Sequence, residues 1–231
     1  MRRPCLAWTP FHFLATSYPQ SKRLDTLSRA LLVKTLAAQG MKLLYTVPWP
    51  PQGLYSSQPV AAMKDLKGTK MRAYNPATSF IATSLGAQPV TIQLAELPAA
   101  LATGSVDNFL TSSASGVDSK LYESVKYFYD VNAWLPRNAV VVNQKAFEGL
   151  DKSTLDAVLK AAADAETRGW RVSEEKDAEY MRELAVKGMK IDTTSDGLKK
   201  ESKLIGDRMT ADWLKLAGDE GKAIIDAFNT K

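Results

Sequence analysis

The chain has 231 residues, 45% of them hydrophobic and 24% charged, with a net charge of +5, a balance typical of a globular chain with a sizeable core. A single cysteine, Cys5, excludes an internal disulfide, and with a single histidine, His12, no zinc site of the usual Cys/His kind can be assembled. No apolar run approaches the roughly 18–20 residues that span a bilayer, and the basic residues are interleaved with acids rather than gathered, which argues against a nucleic-acid partner.

Met1 to Pro10 carries two arginines and a short apolar patch that Pro10 and His12 interrupt, so it does not read as a signal peptide. Residues 11–18 form a short apolar segment. Leu24, Leu27, Leu31, Leu32, Leu36 and Ala37 recur at spacings of three and four, which predicts a helix over 20–39 closed by Gly40. A strand follows at 42–47. The proline-rich stretch 48–59 (PWPPQGLYSSQP) is expected to be a fixed loop and not a central strand. Lys70–Tyr74 reads as a strand, with Asn75 as cap and Pro76 as first residue of a helix over 77–85. Strands at 89–93, 106–111 and 139–143 and helices at 95–103 and 118–128 complete an alternation that predicts an α/β chain with a mostly parallel sheet. Asp151 caps a helix, or two joined near Gly169, running to about Val186. A short strand or connector is expected at 188–193. The helix over 196–228 is expected to break near Gly206 and Gly218.

Alternation places Lys70, Arg72 and Tyr74 on one face of their strand. An arginine fork matches a carboxylate, and Asn75 at the following helix start adds an amide and backbone donors, so this pair suits an organic acid. A surface arginine on an edge strand is the plainer alternative. Thr111 and Ser112 follow the end of a strand, where open α/β sheets place ligands, although capping of the next helix would use the same hydroxyls. Trp49 and Trp134 sit in proline-bounded segments and suit either a pocket wall or packing. Hydrolase chemistry would need His12 beside Ser112, Ser113 or Ser115, and no G-x-S-x-G elbow is present. Neither nucleotide-binding glycine motif occurs, and no cofactor or metal is expected.

Leu66, Gly68, Lys70, Arg72, Gly86, Ala87, Pro89, Glu96, Ala100, Leu101, Gly104, Val106 and Asp107 fall in one ordered pattern. With the stretch YFYDVNAWLPRNAVVVNQKAF, this pattern resembles the substrate-binding proteins of tripartite ATP-independent periplasmic (TRAP) transporters, of the DctP type. The resemblance runs from about Phe11 onward and includes the tail helices. It implies a periplasmic-binding-protein-like (type II) fold of two α/β lobes around a cleft. It also implies periplasmic location, capture of a small organic acid and transfer to membrane permease subunits, not catalysis. Within that pattern Arg72 pairs with the ligand carboxylate, Asn75 lines the same site, and Thr111 or Ser112 faces the cleft. Where some members carry a second arginine, this chain has Gln52, which points to a ligand other than sialic acid.

The strand–helix–strand set that opens family members is not found ahead of residue 11, so the first lobe is expected to be incomplete. The expected division is 1–46 as part of the first lobe, 47–143 as the second lobe, and 144–231 as C-terminal helices packing across both. On that reading the chain is expected to be marginal in stability and weak in ligand binding, with a ligand-incompetent remnant as the alternative.

Overall fold

The computed structural model describes residues 12–192 and 196–230, and the expectation for Met1–Pro10 lies outside them. Helix α1 (Tyr18–Ala37) starts where the Ser17 hydroxyl accepts the Gln20 N–H and Pro19 occupies the first turn. Its buried stripe reads Ser21, Leu24, Asp25, Ser28, Leu32, Leu36. Strand β1 (Met41–Pro48) follows Gly40. Leu32 and Leu36 pack on Leu43 beneath it.

Strand β2 (Gln52–Ser56) corrects the expectation of a loop at 48–59. All five of its residues are buried, and it pairs antiparallel with β5 (Asn108–Ser112) on one side and β6 (Tyr127–Tyr129) on the other. The prolines at 48, 50, 51 and 59 flank this segment without entering it, so every N–H in 52–56 remains available for pairing. Burial on both faces also removes the polar alternation that would have marked it as a strand.

Strands β3 (Lys70–Ala73), β4 (Gln88–Thr91) and β8 (Lys190–Asp192) complete a six-stranded sheet of order β4-β3-β5-β2-β6-β8. The pairs β3–β4, β3–β5 and β6–β8 are parallel. Every strand except β2 therefore points the same way. Strand β7 (Arg137–Asn143) does not join this sheet. It pairs antiparallel with β1 in a separate two-stranded sheet, so a strand expected within 47–143 belongs with one expected in the first lobe. The two chain crossings that lead to this sheet are tied together where Trp49 N–H donates to the Pro136 carbonyl.

Helix α2 (Pro76–Ser84) is capped by Asn75, and α3 (Leu97–Ala102) precedes β5. The helix expected at 118–128 is replaced by α4 (Ser113–Asp118), a 3-10 turn at Leu121–Glu123 and β6. Lys120 at φ 51° breaks the helical path, and the aromatic run Tyr127-Phe128-Tyr129 favours a strand. Helix α5 (Gln144–Glu148) leads into α6 (Lys152–Val186), which runs unbroken through Gly169. Helix α7 (Asp196–Asn229) kinks at Gly218 but not at Gly206. Gly206 instead lets the backbone of residues 12–13 approach, since a Cβ there would lie 2.7 Å from the His12 carbonyl oxygen.

The core divides along the strand period of two. Leu54, Leu110 and Tyr129 enter one cluster with Met71, Ile81 and α7 residues Leu198, Ile205 and Met209. Their chain neighbours Tyr55, Phe109 and Phe128 enter the other, with Leu97, Leu121 and Leu184. A third cluster joins Leu24 of α1 to Trp213, Ile224 and Ile225 of α7.

Candidate functional site

Because β3, β5 and β6 run parallel and β2 runs against them, the ends of three strands and the start of a fourth share one edge of the sheet. Arg72 to Asn75 lie at the end of β3, and Thr111 and Ser112 at the end of β5. Gln52 opens β2 opposite Ser112, with Gly53 opposite Thr111. The chain leaving β6 returns along this edge, where Gln52 N–H donates to the Trp134 carbonyl and Ala133 N–H to the Gln52 carbonyl. The edge is the C-terminal one, where open α/β sheets bind ligands.

Arg72 is 6% exposed. Its Nε donates to the Ile92 carbonyl at 2.8 Å, and its guanidinium lies 4.7 Å from the centre of the Tyr74 ring, as neighbours two apart on one strand face should. No carboxylate among the described residues pairs with it, and no described residue accepts a hydrogen bond from its terminal nitrogens. Burial pulls the guanidinium below its usual range, opposed by Tyr74, and burial pushes the Tyr74 phenol up. A buried cation in this state is poorly compensated.

Asn75 Oδ1 accepts the Thr78 N–H at 2.8 Å, while Thr78 Oγ1 accepts from Tyr74 N–H and Asn75 N–H. The cap thus fixes the side chain by its oxygen. Ser112 Oγ accepts the Ser115 N–H and lies 3.2 Å from Ser115 Oγ, so it caps α4. Ser113 donates to Asp177 at 2.7 Å, and burial, offset by this hydroxyl, raises the Asp177 carboxyl. Thr111 is buried beside Ser112. Gln52 is buried, with Nε2 donating to the Pro50 carbonyl.

Beside this edge opens a hollow of about 300 Å³. Tyr74 and Asn75 from the end of β3, Trp134 and Arg137 from the chain between β6 and β7, and His12 and Ser21 line it, while Arg72 lies behind Tyr74 and outside the lining. The His12 ring meets Trp134 edge-on, with centroids 4.2 Å apart. Trp49 does not reach this hollow. It is 41% exposed and borders a different one, with Val47 of β1 and Arg168, Lys176 and Tyr180 of α6.

A polar network that spacing alone did not reveal stands behind the hollow. Arg137 Nη1 donates to Asp25 Oδ1 at 2.9 Å, with both side chains buried. Asp25 also accepts from Thr46 Oγ1 at 3.1 Å and from Arg29 at 3.4 Å. Glu166 of α6 takes Arg29 at 2.7 and 3.2 Å and the Thr46 N–H at 3.0 Å. Burial raises the Glu166 carboxyl, but the hydrogen bonds from Arg29 and Thr46 outweigh it, and the net shift is downward. Burial lowers the Arg137 guanidinium against the pull of Asp25. The available signal was an acid, Asp25, on the core-facing stripe of α1 between Leu24 and Leu32.

Comparison with known proteins matches residues 6–215 to the family model for bacterial extracellular solute-binding proteins, family 7 (DctP). Among solved structures, the Bordetella pertussis extracytoplasmic solute receptor DctP6, which binds pyroglutamic acid, is 48% identical with a TM-score of 0.93, over 96% of this chain and 74% of that one. A marine metagenome TRAP solute-binding protein specific for pyroglutamate is 39% identical with a TM-score of 0.92, over 99% and 75%. A curated solute-binding protein of Albidiferax ferrireducens is 26% identical over 81% of this chain and 57% of its own length, so the chain spans less than two thirds of that relative. These relatives are solute-binding proteins of transporters, not enzymes, and in this chain the Ser112 hydroxyl caps α4 while that of Ser113 donates to Asp177 of α6. The chain belongs to the DctP family of bacterial extracellular solute-binding proteins.

Proposed function

We propose that this chain is the solute-capturing part of a TRAP transporter receptor that takes a small cyclic monocarboxylate, pyroglutamate or a close analogue, at the C-terminal edge of its sheet. The observation that carries the reading is Arg72, buried and without an acidic partner among the described residues. A ligand carboxylate supplies the missing anion, and the planar fork can hold it bidentately. Asn75 and Thr111 offer polar contacts beside it, and Trp134 offers a flat apolar wall for a ring. Ligand identity follows the relatives that are 48%, 44% and 39% identical, which bind pyroglutamate. The expected site of action is the periplasm, with delivery to membrane permease subunits. Among the described residues no helix is long and apolar enough to cross a membrane itself.

Calorimetric titration of the chain with pyroglutamate tests this reading. Saturable binding that Arg72→Ala abolishes is the expected outcome. Binding that survives Arg72→Ala unchanged would place the site elsewhere.

A further inference from the structure

Arg137 lines the hollow and Arg72 reaches it only through Tyr74, against whose ring it lies, and the two arginines differ in their compensation. Arg72 has no acid beside it among the described residues. Arg137 lines the hollow, and its Nη1 is committed to Asp25 at 2.9 Å, with Ser28 Oγ at 3.5 Å. Asp25 belongs to a group of two carboxylates, Asp25 and Glu166, and two guanidiniums, Arg29 and Arg137. The formal charge of that group is zero. The two side chains of the Asp25–Arg137 pair are only 3% and 7% exposed, so solvent screens them little.

The consequence is electrostatic. Arg137 presents the hollow with a neutralised cation, and the sheet edge at Arg72 holds an uncompensated one. A ligand with a single carboxylate satisfies Arg72 and leaves the total balanced. A second carboxylate directed at Arg137 would be desolvated against a group already neutralised by Asp25, with little net attraction in return. A neutral acceptor, such as an amide or ketone oxygen, loses far less on leaving water and still meets a polar wall. We infer that Asp25, acting through Arg137, makes the site prefer acids with one carboxylate and one neutral acceptor over dicarboxylates. This deepens the proposed function and rests on Arg72 as the carboxylate site. Asp25 is in this sense a positioning residue for specificity, with no ligand contact of its own. Pyroglutamate, with one carboxylate and a ring amide, fits the class.

The test is a three-ligand calorimetric panel on the whole chain. Pyroglutamate has a carboxylate and a neutral acceptor, cyclopentanecarboxylate has the carboxylate and ring alone, and glutarate has two carboxylates. Wild-type protein should bind pyroglutamate about 10–100-fold more tightly than either of the others. Asp25→Asn keeps the side-chain shape and an acceptor oxygen but removes the charge. It should narrow the pyroglutamate-to-glutarate ratio by about tenfold or more, chiefly through tighter glutarate binding. Equal wild-type affinities for pyroglutamate and glutarate overturn the inference without any variant. So does an unchanged ratio in an Asp25→Asn protein whose circular dichroism and melt show that it is folded. A merely structural role for Asp25 would weaken all three acids alike and leave the ratio in place. Wild-type protein that binds none of the three overturns the Arg72 reading and this inference with it.

Discussion

Arg72 is held in place by one backbone carbonyl and one aromatic face, which satisfy part of its fork and none of its charge. Two consequences separate ligand binding from folding. Arg72→Ala should weaken organic-acid binding by about 2–5 kcal/mol, the range for truncating one partner of a buried charge pair. The same change should leave the ligand-free melting temperature unchanged or raised, because a poorly compensated buried charge is removed. Calorimetry and a thermal melt on the same sample check both. Arg72→Lys should also lose most of the affinity, since the charge survives and the fork does not. Strand alternation put Arg72 and Tyr74 on one face in the sequence, and their side chains do meet; Asn75 read as a helix cap and Thr111 as the end of a strand, and both stand there. The Asp25–Arg137 pair was not legible. Its members lie far apart in the chain, and nothing local to either shows that they meet.

Among the elements, β2 is the most informative case. Gly53, its second residue, sits against the Phe128 ring, where an added Cβ would lie 2.1 Å from Cζ. Phe128 is 1% exposed and stacked edge-on against Tyr55, so it has little room to withdraw. Gly53→Ala should therefore destabilise the fold by about 1–3 kcal/mol, as overpacking does, read from a urea denaturation midpoint at constant slope. Asn75→Ala should cost about 1 kcal/mol in the same measurement through loss of the α2 cap. The cap was legible because Asn-Pro is a local signal. Strand β2 was not, because its prolines suggested a loop and its burial on both faces erased the period of two. The three-residue β6 was absorbed into an expected helix for a related reason. A strand that short is specified by its two sheet neighbours rather than by its own residues.

At the scale of the whole molecule, the alternation of strands and helices announced an α/β fold, but not how its two sheets divide the chain. Strand β7 joins β1 because the chain crosses back after Trp134, and such a pairing between residues as distant as Met41 and Asn143 leaves no local mark. Helix α6 runs about 50 Å at the usual rise per residue and is pinned to β1 and α1 through Glu166, Thr46 and Arg29. Glu166 is an acid whose folded pKa is depressed. Its contribution to stability is present above its unfolded value, roughly 4.3, and is lost as pH falls through the lower folded value. Glu166→Gln should accordingly show a shallower loss of stability than wild type below about pH 4.3, measured by denaturation across that range. The central claim is that this chain captures a small acid with Arg72 as its anchor. The most direct measurement is the melting temperature of the chain with and without excess pyroglutamate. Free ligand at a hundred times its dissociation constant should stabilise the fold by about 2.7 kcal/mol, a rise that Arg72→Ala removes. A melting temperature indifferent to pyroglutamate in wild type, or a rise that persists in Arg72→Ala, would contradict the account.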